Sequence, residues 1–157
     1  MSNISIESVY KRIRFVNRYE TICKKHNDFE NSLSGNNHGL YSMIISKLGY
    51  NAKYYKIESF YRIEEKSDNL VFGLQLGLKN GMVEVMIDMK LNDSWCVPDG
   101  RIDFLCEELD SSFDRDRFNI PKYTSEAELE EILKEIFSIY EDVKKEMIKE
   151  SRKDEDS

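Results

Sequence analysis

The stretch Leu70-Val71-Phe72-Gly73-Leu74-Gln75-Leu76-Gly77-Leu78-Lys79-Asn80-Gly81-Met82-Val83-Glu84-Val85-Met86-Ile87-Asp88-Met89-Lys90-Leu91 decides the fold. Leu70, Phe72, Leu74, Leu76 and Leu78 alternate before Asn80-Gly81, and Val83, Val85, Ile87, Met89 and Leu91 alternate after it. A two-residue turn at Asn80-Gly81 sets Leu78 opposite Val83, Leu76 opposite Val85, Leu74 opposite Ile87, Phe72 opposite Met89 and Leu70 opposite Leu91. Asn and Gly tolerate the positive φ of a type I′ turn, so the turn chemistry sets the register. Every one of these apolar residues then shares a face, and a one-residue slip would expose them all. The segment predicts an antiparallel sheet with one buried face.

Outward from the hairpin, residues from about Lys53 to Glu64 read as one preceding strand, joined to it through Lys66-Ser67-Asp68-Asn69. Three strands with short turns make a meander. Trp95-Cys96-Val97 is a fourth strand or the entry to a helix, and Pro98-Asp99-Gly100 is a turn. Residues 5 to about 31 carry a helical stripe of Ile6, Val9, Ile13, Val16 and Cys23, with Ser5 as N-cap. A short helix capped by Asn37 and stopped at Gly49 follows. After the sheet, Ile102, Leu105, Cys106, Leu109 and Phe113 keep helical spacing to about Ser112. Ser125 with Glu128 forms a capping box for a last helix striped by Leu129, Ile132, Leu133, Ile136, Tyr140, Val143 and Met147. The expected architecture is α+β: an antiparallel meander of three to four strands packed with N-terminal helices and two C-terminal helices. Residues 1–150 form a single domain and 151–157 a charged, disordered tail.

The net charge of −7 is unevenly spread. Residues 1–80 hold 12 Lys+Arg against 8 Asp+Glu, and the remainder holds 11 against 22. An acidic protein has little attraction for phosphate backbones, so a nucleic-acid partner is not expected, and a basic protein partner is favoured in encounter rate. No apolar run is long enough to span a bilayer, and Lys11, Arg12 and Arg14 interrupt any signal-peptide core, so a soluble, cytoplasmic protein is expected. Cys23, Cys96 and Cys106 are odd in number and lie in apolar surroundings that suit buried, inert thiols.

No residue set demands catalysis, a metal or a cofactor. His26 and His38 lack a partner at metal-ligand spacing, and surface or capping roles are expected for both. Asp99, Asp103 and Glu107 are four apart, so one helix face would carry them, with Glu108 and Asp110 beside them. A solvated face is the ordinary use of such a row; presentation to a basic partner is the other. Gly73 and Gly77 lie on the outer face of the hairpin, opposite Met82, Glu84, Met86 and Asp88. Glycine inside a strand marks the close approach of another element. A helix packed over them is the first expectation, and a bare, methionine-edged platform for a partner is the second.

In size, acidity, the Leu70–Leu91 hairpin and the acidic Asp99–Asp110 segment, the chain resembles bacterial immunity proteins of contact-dependent and polymorphic toxin systems. The resemblance implies tight binding of a cognate, basic toxin domain, without enzymatic activity. Under it, Asp99, Asp103, Glu107, Glu108, Asp110, Gln75, Glu84 and Met86 would face the partner. The chain is also similar to type III secretion chaperones, which are small, acidic and usually dimeric and bind an effector segment. It departs from them in having two helices before the first strand and a single meander.

Overall fold

In the computed structural model, which describes residues 3–155, the chain opens with strand β1 (Ile4–Ser5) and helices α1 (Glu7–Arg12), α2 (Phe15–Lys25) and α3 (His38–Lys47). Strands β2 (Lys53–Tyr55), β3 (Phe60–Ser67), β4 (Leu70–Gly77), β5 (Glu84–Leu91), β6 (Ser94–Val97) and β7 (Gly100–Arg101) follow, then helices α4 (Ile102–Leu109) and α5 (Glu126–Glu155). The sheet runs β1-β6-β5-β4-β3-β2, with β7 also pairing with β5. The meander is therefore the centre of a wider, mostly antiparallel sheet in which β1–β6 is a parallel pair. The α+β architecture is as expected.

The hairpin holds its expected register: Leu70 opposes Leu91, Phe72 opposes Met89, Leu74 opposes Ile87 and Leu76 opposes Val85. These residues are buried or nearly so, and with Tyr61 and Ile63 they meet Val9, Tyr10, Phe15, Ile45, Leu105, Leu133, Ile136 and Val143 in one core. Fully burying a Leu, Ile or Phe stabilises by about 1.5–3 kcal/mol relative to exposure, so this shared inner face is what joins helices to sheet. The helices supply one layer and the sheet the other.

At its turn the hairpin departs from a simple ladder. Asn80 (φ 59°, ψ 32°) and Gly81 (φ 71°) take the expected left-handed conformations, and the Met82 N–H donates to Lys79 O at 3.4 Å. Leu78, however, leaves the extended region (φ −119°, ψ −1°), so the Leu78–Val83 pair does not join the ladder. Residues 121–123 strap the turn instead. Val83 N–H donates to Pro121 O at 2.9 Å, Tyr123 N–H to Gly81 O at 2.9 Å, and the Tyr123 hydroxyl to Leu78 O.

Two expected elements are each divided. The N-terminal helix breaks at Arg14, which adopts a left-handed conformation (φ 59°, ψ 43°), and it ends at Lys25. Ser5 lies in β1 rather than at a helix cap, and the N-cap of α1 is Ile6. The expected strand from Lys53 to Glu64 folds back at Lys56–Ser59, so that Tyr54 pairs with Tyr61 and Tyr55 with Phe60. Both helix-end readings hold. Asn37 Oδ1 accepts from Leu40 N–H at 3.2 Å. Past the other end of α3, Gly49 (φ 94°) and Tyr50 donate to Ser46 O and Ile45 O, the two bonds of a Schellman motif. Ser125 Oγ accepts from Glu128 N–H at 3.1 Å. Helix α5 continues through Glu155, and the last two residues of the expected tail lie outside the described residues.

The uneven charge is largely consumed between helices. Arg12 pairs with Glu146 at 3.1 Å and Glu150 at 2.6 Å, Arg18 with Asp142 at 2.7 Å, Lys47 with Glu130 at 2.7 Å, and Lys25 with Glu131. N-terminal cations thus face acids of α5. Such pairs, most of them exposed, contribute roughly 0–1 kcal/mol each, but together they fix how α5 lies against α1 and α2. His26, expected on an exposed turn, is buried, with Nδ1 2.8 Å from Glu128 Oε2. Glu128 also accepts from Thr124 N–H at 2.6 Å and the Thr124 hydroxyl at 3.0 Å.

Candidate functional site: a groove on the open sheet face

Among the described residues no helix covers the outer face of the hairpin, which stays half-buried or exposed except at Gly73. The expected helix over Gly73 is absent for a specific reason. Arg62 on β3 reaches across β4 to Asp88 on β5 with two hydrogen bonds, 3.0 and 2.9 Å, directly above Gly73. A Cβ at Gly73 would collide with Arg62 Nη2 and Asp88 Oδ1. The close approach that this glycine permits is thus a salt bridge.

Toward the turns the face opens. Gln75 lies opposite Arg62 on one side and Met86 on the other, and Met86 lies opposite Arg101 of β7. Gly77, opposite Glu84, leaves the floor bare: a Cβ there would meet only Glu84 Cβ, at 3.7 Å. Between the turns Lys56–Ser59 and Lys79–Met82 this produces a cavity of about 200 Å³ walled by Phe60, Met82 and Met86, with Glu58, Glu84 and Lys79 on its rim. Gln75, Glu84 and Met86, expected to face a partner, therefore come together in one groove. Gln75 Nε2 donates to the Met86 sulfur at 3.6 Å.

The acidic row does not form as expected. Helix α4 starts at Ile102, so Asp99 precedes it, in the bulge between β6 and β7. Asp103 is buried, at 1% exposure, and both its oxygens accept from Arg101, at 2.6 and 2.8 Å. It serves the fold and presents nothing to a partner. Glu107, Glu108 and Asp110 are exposed at the far end of α4, and Glu107 lies 3.7 Å from Arg115. Burial first, and the nearby Asp88 carboxylate second, raise the acid of Asp99 above its ordinary value.

Among the exposed apolar residues that the sequence did not mark as exposed, three lie near the sheet. Phe104, 49% exposed, lies between the guanidinium groups of Arg101 (4.6 Å) and Arg115 (4.0 Å). Its signal was its place off the Ile102–Leu105–Cys106–Leu109 stripe. Ile57, 95% exposed, caps the β2–β3 turn, and its polar neighbours Lys56 and Glu58 were its only mark. Trp95, expected in a fourth strand or at the entry to a helix, lies in β6 and carries Lys90 Nζ over its ring at 4.4 Å.

The histidines and thiols stand apart from the groove. His38 stacks on Tyr54 with centroids 4.1 Å apart and hydrogen-bonds the Tyr61 hydroxyl. All three cysteines are buried and free, and burial pushes the Cys23 thiol up to about 12 and Cys96 to about 11. Thiols held that high are poor nucleophiles at neutral pH. No helix among the described residues is long and apolar enough to cross a membrane. Comparison with protein families, with curated proteins and with solved structures gives no match.

Proposed function

We propose that the chain is a non-enzymatic protein-binding domain, an immunity-type inhibitor that docks a cognate toxin domain on the outer face of its sheet. The observation that carries this reading is the groove. Sheet faces in two-layer domains can stand solvated, but they then carry charged and polar side chains. Here Phe60, Met82 and Met86 gather around a bare glycine floor. Met86 is 37% exposed on an otherwise alternating strand. Aromatic residues and methionine are enriched at interface cores, and methionine adapts to a partner's shape. Arg101 and Phe104 extend the same surface toward α4, and exposed Ile57 extends it at the β2–β3 turn.

The test is protection. The chain is co-expressed with the toxin domain encoded by an adjacent reading frame, and cell survival is scored together with a one-to-one complex by light scattering. Survival should be lost for Met86→Arg while the circular dichroism spectrum is kept. Full protection by Met86→Arg would remove the outer face from the interface. Failure to protect by the unaltered chain would sink the inhibitor reading.

A further inference from the structure

We infer that the groove receives a basic side chain of the docked protein, an arginine by its chemistry; this rests on the docking reading above. The cavity, at about 200 Å³, suits one long side chain rather than a folded segment. Its walls are the Phe60 ring and the Met82 and Met86 thioethers, surfaces along which the methylenes of a long cationic side chain lie while the charged head stays at the mouth. The mouth holds two carboxylates. Glu58 has no ion-pair partner among the described residues, and the one cation near Glu84 is Arg101 at 3.9 Å, too far for a strong bond. Among the described residues no group donates to the Gln75 carbonyl oxygen on the floor, and a guanidinium has donors enough for it and for a carboxylate at once.

The alternatives fit less well. An acidic side chain would pass Glu58 and Glu84 and be repelled. An apolar one would fill the walls but bury the Gln75 carbonyl oxygen without a donor, which is costly. The cations next to the groove are each engaged or outweighed: Arg62 is held by Asp88, Arg101 by Asp103, and Lys79 is one charge against two.

The probe is N-acetyl-arginine amide, with N-acetyl-norleucine amide and N-acetyl-glutamate amide as controls, titrated into protein labelled at the methionine methyl groups. The arginine compound should shift the Met82 and Met86 methyl resonances saturably, at least about tenfold more tightly than norleucine, and more weakly as salt is raised. The double variant Glu58→Gln/Glu84→Gln should lose most of that preference without loss of fold, because both carboxylates are exposed. Equal binding of norleucine, an unaffected double variant, or shifts confined to other methionines would overturn the assignment. Its failure is separable from that of the docking reading. If the double variant protects cells fully and Met86→Arg does not, the face docks a partner without a basic side chain. If Met86→Arg also protects, the face itself is wrong.

Discussion

Arg62 and Asp88 sit on strands that do not pair with each other, and they meet through the space a side chain at Gly73 would occupy. Their two hydrogen bonds, 3.0 and 2.9 Å, cross the central strand of the meander. The bridge closes the upper half of the outer face and leaves the lower half as a groove. Arg62 is held in its charged form above all by its hydrogen bonds to Asp88.

Gly73→Ala should break this bridge without unfolding the protein. The colliding atom on Arg62 is the end of a flexible side chain, so the guanidinium can move away. A double-mutant cycle with Arg62→Ala and Asp88→Ala should give a coupling of about 1 kcal/mol with glycine at 73. The same cycle in the Gly73→Ala background should give a coupling near zero, measured by urea denaturation. Equal coupling in both backgrounds would mean that the bridge does not need the glycine.

The Arg101–Asp103 pair should respond asymmetrically. Asp103 is buried while Arg101 is about a third exposed. Removing the arginine strands a buried carboxylate; removing the carboxylate leaves an arginine that water can reach. Arg101→Ala should therefore cost roughly 3–5 kcal/mol, and Asp103→Asn clearly less. Thermal denaturation of the two variants compares them directly. The reverse order would show that the buried Asp103 carboxylate is held by something other than this pair.

The parts of the fold that were legible in the sequence are those where local chemistry and periodicity agree. The Leu70–Leu91 register followed from alternation plus Asn80-Gly81, and α5 from its stripe plus Ser125 and Glu128. The breaks were hidden because nothing local marks them. Ile13 and Val16 carry the apolar stripe straight across Arg14, an arginine in a left-handed conformation. The turn at Lys56–Ser59 contains no Gly, Asn or Pro, and Ser59 alone takes a positive φ of 55°. Missing that turn meant missing Phe60 and Ile57 as neighbours of the groove. Gln75, Glu84 and Met86 were legible because strand alternation places them on the outer face. Asp103 was misplaced because a charged helical residue reads as solvated when its partner lies on the preceding strand.

Acid should destabilise the protein partly through Glu128. Burial raises its acid, but hydrogen bonds from His26, the Thr124 N–H and the Thr124 hydroxyl outweigh that and leave it below its ordinary value. A carboxylate whose folded value is depressed contributes stability that is present above the unfolded value of about 4.3 and is lost as pH falls through the folded one. Glu65, lowered against its burial by Lys144 and Tyr140, acts in the same direction, and Asp99, which is raised, opposes them. The urea midpoint of the unaltered protein should fall between about pH 5 and pH 3 more steeply than that of Glu128→Gln. Parallel curves would assign the acid limb to other carboxylates.

The buried thiols should be silent in the native state. Burial is the largest cause of the raised Cys23 and Cys96 values. An aromatic disulfide reagent at neutral pH should react with all three cysteines in denaturant and with none on the same timescale in buffer. A fast native phase would show that one of the helices opens readily.

The strap over the hairpin gives the last expectation. Type I′ chemistry at Asn80-Gly81 would ordinarily carry the ladder to the turn, yet Leu78 turns away from Val83 and gives its carbonyl to the Tyr123 hydroxyl. That hydroxyl also lies 3.1 Å from the Tyr41 hydroxyl, so the turn is tied to α3 as well as to the strap. Tyr123→Phe keeps the ring and removes these bonds, leaving a buried carbonyl unpaired at a cost of about 1–3 kcal/mol. Val83 offers no replacement, because its N–H is held by Pro121 O. The variant should therefore lose stability, and the amides of the turn and strap should exchange faster than in the unaltered protein. Because Lys79 and Met82 border the groove, the same change should alter its mouth and weaken the arginine probe. Unchanged stability would mean that the backbone bonds of Pro121 and Tyr123 hold the turn without the hydroxyl.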